Sequence, residues 1–188
     1  MNRKVLIVTG DGGDSYETLY ACQRFSEARW EPVIAAPARR RLHMVFHDAE
    51  PGWETYTERP GHSLEPDIAI TAVAVREFAA MLIPGGRAPE YLRNDPSLIS
   101  LVREFADHDK CIFAIGHGVQ ILIAAGLIQG RTVTAHPHVR IEVERAGGAY
   151  VNRPALRGQK MVTAQGWRSH PEFYREVFAC LEPPTTRP

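Results

Sequence analysis

The sequence predicts a three-layer α/β sandwich, a mostly parallel sheet with helices on both faces. Three observations carry this expectation. Short apolar runs alternate with segments of helical periodicity along the chain. The apolar runs are nearly continuous, as strands buried on both faces must be. Finally, Cys111-Ile-Phe-Ala-Ile115 runs without a spacer into Gly116-His-Gly118 and a helix that stops at Gly126. A strand turning sharply into a helix is the geometry of a nucleophile elbow, which lifts one side chain to the top of a sheet.

Taken in order, Lys4–Thr9 is a β-rich run, and Ser15–Ala28 has helical spacing of Tyr16, Leu19, Tyr20 and Phe25. Pro32–Ala36 reads as a short strand. The stretch Ala38–Pro66 is rich in Pro, Gly, His, Asp and aromatics, among them His43, His47, Trp53, Tyr56 and His62. It is too long for a simple connection, so it is expected to hold a small hairpin and a surface excursion. Phe78–Ile83 is a strand ending at Pro84-Gly85-Gly86. Asp95-Pro96 starts a helix, with an acid at the N-cap and proline at the first helical position. That helix runs to about His108, with Leu98, Leu101, Val102 and Phe105 on one face. After the elbow, Arg131–Ala135 reads as the end of a strand, His138–Ala146 as a helix, Lys160–Ala164 as a strand and Pro171–Leu181 as a closing helix. Residues 1–181 are therefore expected to form one domain, with Glu182–Pro188 a frayed, proline-rich tail.

The 188 residues suffice for one domain with a sizeable core. The 22 basic and 22 acidic residues balance, which gives no electrostatic argument for nucleic acid or an anionic membrane surface. No apolar run approaches the roughly 20 residues of a membrane span. Met1-Asn-Arg-Lys leads directly into a strand instead of a signal sequence. Cys22, Cys111 and Cys180 are widely spaced and lie in apolar surroundings. They read as reduced core residues of a cytoplasmic protein, not as a disulfide frame or a zinc site.

Ligands of an open parallel sheet bind outside the carboxyl ends of its strands. Four segments are expected there: Gly10–Glu17, Pro84–Arg87, Gly116-His117-Gly118 and Ala135–His138. Glu17 sits in the first turn of its helix, aimed at the elbow, where partial burial would raise its pKa and suit it to proton transfer. The same spacing also fits a capping box with Asp14 at the N-cap and Glu17 three residues on. His117 is placed to act as acid or base, or to offer its backbone N–H alone. Gly85 and Gly86 fit either backbone donors for an oxyanion or a tight turn needing positive φ. His136 is a candidate polar partner. In His136-Pro-His138 the proline, and the lack of an obvious third and fourth ligand, argue against a metal site. Arg87 is a candidate for holding a substrate carboxylate, and Gln165 and Trp167 for lining the pocket from the last loop.

These pieces together resemble the ThiJ/PfpI superfamily, the Parkinsonism-protein and intracellular-protease group. The resemblance rests on Leu82–Arg93, Ala114–Leu122 and Gly130–Pro137, with Glu50–Glu58 similar to a loop of one bacterial branch. It implies a flavodoxin-like, class I glutamine amidotransferase-like sandwich and a homo-oligomer, a dimer or an assembly of dimers. It also implies an elbow cysteine hydrogen-bonded to a glutamate that corresponds to Glu17, followed by a histidine that corresponds to His117. The cysteine position is Gly116 here, which has no side chain, while Gly118 completes the elbow. Cys111 lies at the far end of the strand, roughly 15 Å away at strand rise. The expected function is a cofactor-free enzyme in which Glu17 and His117 perform acid–base chemistry without a cysteine nucleophile. Its reaction would be a hydration, elimination, isomerisation or hydrolysis of a small carbonyl or polar metabolite, with His136 as a third polar group. The alternative is a catalytically inactive relative that binds small molecules or serves assembly, or a cysteine-type hydrolase disarmed at Gly116.

Overall fold

The structure, a computed structural model, describes residues 3–182. Eleven strands and six helices follow one another among these residues. They are β1 (Lys4–Val8), α1 (Ser15–Glu27), β2 (Glu31–Ala36), β3 (Val45–Asp48), β4 (Thr57–Pro60), β5 (Ile68–Ala69), β6 (Ala80–Ile83), α2 (Ala88–Leu92) and α3 (Pro96–Asp107). There follow β7 (Cys111–Ile115), α4 (Val119–Ala124), β8 (Thr132–Val133), α5 (Arg140–Arg145), β9 (Ala149–Tyr150), β10 (Ala155–Gly158), β11 (Met161–Ala164) and α6 (His170–Leu181). The central sheet has seven strands in the order β10-β11-β7-β6-β1-β2-β5. All its pairings are parallel except β10 with β11, an antiparallel edge.

Period-two alternation within apolar strands sorts the core into two layers. Leu6, Val8, Met81, Ile83, Ile112 and Ala114 face α2 to α5 on one side, together with Phe78 and Phe105. Val5, Ile7, Leu82, Phe113 and Ile115 face α1 and α6 on the other, against Phe25, Phe173 and Val177. No polar position interrupts β6 or β7, and every residue of both is buried. This is the three-layer arrangement read from the sequence.

Helix starts behave as their residues demand. Asp14 caps α1 through Glu17 N–H at 3.0 Å, and Asp95 caps α3 by accepting from Ser97 N–H at 2.8 Å. Ala38–Pro66 does contain a hairpin, β3–β4, outside the central sheet. Two expectations need correction. Arg131–Ala135 yields only the two residues of β8, which pair with β9 in a separate small sheet. The expected helix from His138 begins with a 3-10 turn over Pro137–Val139, and α5 follows it. Of the expected tail only Glu182 lies within the described residues, where it ion-pairs Arg3 at 2.8 Å. No helix among the described residues is long and apolar enough to cross a membrane.

Candidate active site

Glu17 combines two roles that the spacing alone left open. Its backbone N–H is capped by Asp14, but its side chain does not close the reciprocal half of the box. The carboxyl turns instead into the sheet edge and accepts the Gly85 N–H at 2.6 Å. Glu17 is buried, 4% exposed. Burial, and next the nearby Asp14 charge, push its carboxyl up to about 8, against the opposing pull of the Gly85 and Trp167 N–H groups. A glutamate in this position holds its proton near neutral pH.

The elbow brings the second half of the site. β7 ends at Ile115, and Gly116 takes φ +56° before a 3-10 turn over Gly116–Gly118 feeds α4. A β-carbon on Gly116 would meet only the Gln165 carbonyl, at 3.4 Å, so the space above the elbow is open. Gly85 keeps the two halves close. Its missing β-carbon would stand 3.1 Å from Glu17 Oε2 and 3.5 Å from the His117 backbone nitrogen. At Gly86, φ is +83° and a β-carbon would fall 2.4 Å from the Asp14 nitrogen. The expectation that Gly118 belongs to the site is corrected. A β-carbon there would strike the Ile83 carbonyl at 2.3 Å, so Gly118 permits α4 to pack on β6 and does not line the cavity.

One cavity of about 360 Å³ opens over this floor. Glu17, Gly85, Gly86, Gly116, His117, His136, Gln165 and Trp167 all line it, as expected. The His117 and His136 rings stack at 4.8 Å, and Tyr56 closes on their edges at 5.8 and 5.4 Å. Burial, then the neighbouring histidines, lowers both imidazoles to about 4, so both are neutral at physiological pH. Gln165 is fixed by Asn152 Oδ1 at 2.7 Å, and Trp167 Nε1 donates to the His47 carbonyl at 3.2 Å.

Two further expectations are corrected. His136 does not stand at an end of the central sheet but on the segment after β8 in the small sheet. The fourth strand end of the central sheet to reach the cavity is that of β11, through Gln165 and Trp167. Arg87 does not line the cavity and forms a two-pronged ion pair with Glu58, its terminal nitrogen 2.8 Å from Glu58 Oε1. That guanidinium holds the Glu58 carboxyl below the usual carboxylate range.

The hairpin supplies residues that motif reading passed over. His47 lies between two carboxylates, with Nδ1 3.4 Å from Asp14 Oδ2 and Nε2 3.1 Å from Glu58 Oε2. His47, Asp48 and Tyr56 line the cavity beside Asp14. The one signal for them in the sequence was the density of histidine and aromatic residues in Ala38–Pro66. No group of three or more His, Cys, Asp or Glu among the described residues is arranged to hold a metal ion.

Comparison with known proteins places these features. Residues 3–179 match the DJ-1/PfpI family. Protein DJ-1 homolog D of Arabidopsis thaliana is 33% identical over 187 residues, 96% of this chain and 48% of that protein. The chain therefore spans about half the length of that relative. Protein/nucleic acid deglycase 2 of Escherichia coli is 34% identical over 145 residues, 76% of this chain and 84% of the deglycase. Among solved structures, a two-domain protein of Anabaena variabilis with DJ-1/ThiJ/PfpI-like and ferritin-like domains superposes with a TM-score of 0.86. Its sequence identity is 22%, and the match covers 99% of this chain and 50% of that one.

Proposed function

The chain belongs to the DJ-1/PfpI family, and from that premise we propose that it is a cofactor-free enzyme that moves protons without a covalent intermediate. The observation that carries the proposal is Glu17, a buried carboxyl raised to about 8 on the floor of a cavity with open space beside it at Gly116. An acid–base group is most effective when its pKa lies near the working pH, and Glu17 meets that condition. Relatives named deglycases support an enzyme, and the small cavity favours a small carbonyl or polar metabolite as its substrate. In a hydration, a water in the space at Gly116 attacks the substrate carbon while protonated Glu17 gives its proton to the substrate heteroatom. The water's proton then returns to Glu17. In an elimination or isomerisation the ionised fraction of the same carboxyl takes a proton from one atom and returns it to another.

His117 and His136 act as neutral imidazoles that orient the substrate by hydrogen bonds, a narrower role than acid or base. The His117 and Gly86 N–H groups supply donors to the oxygen that gains charge. The lining carries Asp14 and Asp48, with Glu17 protonated, against one permanent cation, Arg168, whose guanidinium lies over the Trp167 ring at 5.1 Å. That balance selects neutral substrates over carboxylates and phosphates. His47 joins Asp14 to the exposed Glu58–Arg87 pair and gives the buried acids a route for exchanging protons with solvent.

The test is turnover of a panel of small aldehydes, ketones and glycated amines by the wild type and Glu17→Gln. Loss of roughly 10²–10⁴-fold in rate is expected for a proton-transferring group. Unchanged turnover by a folded Glu17→Gln protein would refute the acid–base role. A second reading, binding without catalysis, is favoured by the positive φ of Gly116, which glycine meets without strain. It predicts saturable binding of a panel member with no turnover by either protein.

A further inference from the structure

Cys111 opens β7, the strand that carries the elbow, and Cys180 lies in the last turn of α6, 69 positions away. Packing of α6 on β7 brings the two side chains face to face, with their sulfurs 2.6 Å apart. The Cys111 thiol also points at the Cys180 carbonyl at 3.5 Å. Both belong to the apolar cluster beneath α6, at 5% and 8% exposure. Two thiols held this close need only a small further approach to reach the bond length of about 2.05 Å.

We propose that Cys111 and Cys180 form a reversible disulfide, with low-molecular-weight disulfides as the oxidant, making this pair a redox modification site at the base of the elbow strand. The inference stands on the sulfur geometry and does not depend on the acid–base reading of the cavity. The two thiols have different parts to play. The Cys180 thiol is lowered from its ordinary value, first by the hydrogen bond with Cys111 and further by the Lys160 and Arg157 charges, while burial opposes them. The Cys111 thiol is raised, by its contact with Cys180 and by burial. Cys180, at the end of a helix, is the sulfur a small disulfide reaches first, and Cys111, at the start of the buried strand β7, is the resolving one. Helix ends open more readily than helix centres, and Cys180 is one residue from the end of α6.

The chemistry balances with the oxidant alone. The Cys180 thiolate attacks one sulfur of the small disulfide, forms a mixed disulfide and expels a thiolate. The Cys111 thiolate then attacks Cys180 Sγ, forms the intramolecular bond and expels the second thiolate. The two protein thiols are oxidised by two electrons in total, and the small disulfide is reduced to two thiols that take up the two protons. The product fastens the last turn of α6 to the elbow strand, while the segment leading into α6 contributes Trp167 and Ser169 to the cavity wall.

The experiment exposes the full chain to oxidised glutathione, alkylates the remaining thiols and maps the peptides by mass spectrometry. The chain has three cysteines. The expected result is loss of two alkylatable thiols, a Cys111–Cys180 linked peptide, an alkylated Cys22 and full reversal by dithiothreitol. Burial pushes the Cys22 thiol up to about 11, so it serves as the unreactive internal reference. Thermal unfolding of the oxidised wild type should move up by about 5–10 °C, because the bond closes a long loop in the unfolded chain. Cys111→Ser should stop at a glutathione adduct on Cys180 with no internal bond. Three alkylatable thiols after exposure, a linkage that includes Cys22, or a wild type that stops at an adduct would each overturn the proposal. The wild-type measurement decides the matter even if the variant fails to fold.

Discussion

Asp14 and Glu17 stand one helical turn apart, and both are buried. Two carboxyls so placed cannot both ionise cheaply, and Glu17 is the one kept protonated. This has a consequence for stability. Glu17 ionises at about 8 in the folded chain against an ordinary value of 4.5. Between those values the folded state binds the proton and the unfolded state releases it, so raising the pH through this window costs stability. Replacing the group with glutamine removes that slope. Thermal unfolding at pH 5 and pH 8 should show the wild type losing stability relative to Glu17→Gln as pH rises; parallel curves would contradict a raised Glu17. The two elbow glycines make a second comparison. Gly116→Ala meets only the Gln165 carbonyl at 3.4 Å, an ordinary contact, and costs chiefly the left-handed backbone, on the order of 1–3 kcal/mol. Gly118→Ala drives a methyl into the Ile83 carbonyl at 2.3 Å and should cost more than Gly116→Ala, or prevent folding. Urea unfolding of the two variants ranks them, and the reverse order would reject the packing role of Gly118. Glu17, His117 and Gly116 were legible because a strand–Gly-His-Gly–helix junction fixes where its neighbours lie. Arg87 misled because sequence spacing does not show that Glu58, far away in the chain, arrives to neutralise it.

At the scale of elements, the legible parts are those with a repeating signal. β1, β6 and β7 are continuous apolar runs, and α1 and α3 have an acid cap followed by a regular apolar face. The illegible parts have too few residues for a period to show. β5, β8 and β9 are two residues each, and β10 is a half-exposed edge strand of Ala-Leu-Arg-Gly. The hairpin β3–β4 was expected as an element, yet its part in the site was not, because its position depends on contacts outside the hairpin. Gly12 N–H donates to the His43 carbonyl at 2.8 Å, Val45 N–H to the Gly13 carbonyl at 3.0 Å, and Trp167 Nε1 to the His47 carbonyl. These sequence-distant bonds set the hairpin over the cavity, and the Arg87–Glu58 pair adds a clamp at the surface. With the Arg87 side chain about half exposed, such a clamp is worth roughly 0–1 kcal/mol. Arg87→Ala should therefore shift stability only slightly and leave KM for any processed substrate within about twofold. A large rise in KM for a carboxylate substrate alone would restore the carboxylate-binding role that the geometry denies to Arg87.

For the whole molecule, the strand order explains why the fold class was readable while the site was read only in part. The central sheet interleaves the chain, with β1 between β6 and β2 and the late strand β11 beside β7. Any short apolar run in alternation with helices can occupy such a sheet, so its class follows from pattern alone. The site instead collects loops after β1, β6, β7 and β11 together with the segment after β8 and the hairpin, and of these only the hairpin was not read from the sequence as a contributor. Among the large apolar side chains exposed on the described surface, Trp53 is the most exposed and lies beside the site. Trp53, in the turn between β3 and β4, is 63% exposed, whereas Tyr56 three residues on is drawn into the cavity wall. Leaving an indole in water forfeits the burial of a large apolar surface. We expect a second copy of the chain to cover it, which would place the subunit contact next to the cavity rim. Light scattering at micromolar concentration should then give twice the 21.0 kDa of one chain, and Trp53→Arg should lower the mass toward one chain. The indole should also move into a less polar setting on association, so the difference in fluorescence between wild type and Trp53→Phe should shift to shorter wavelength as concentration rises. A mass of one chain across that range would reject the dimer. A wild-type dimer that Trp53→Arg leaves intact would move the contact to another face.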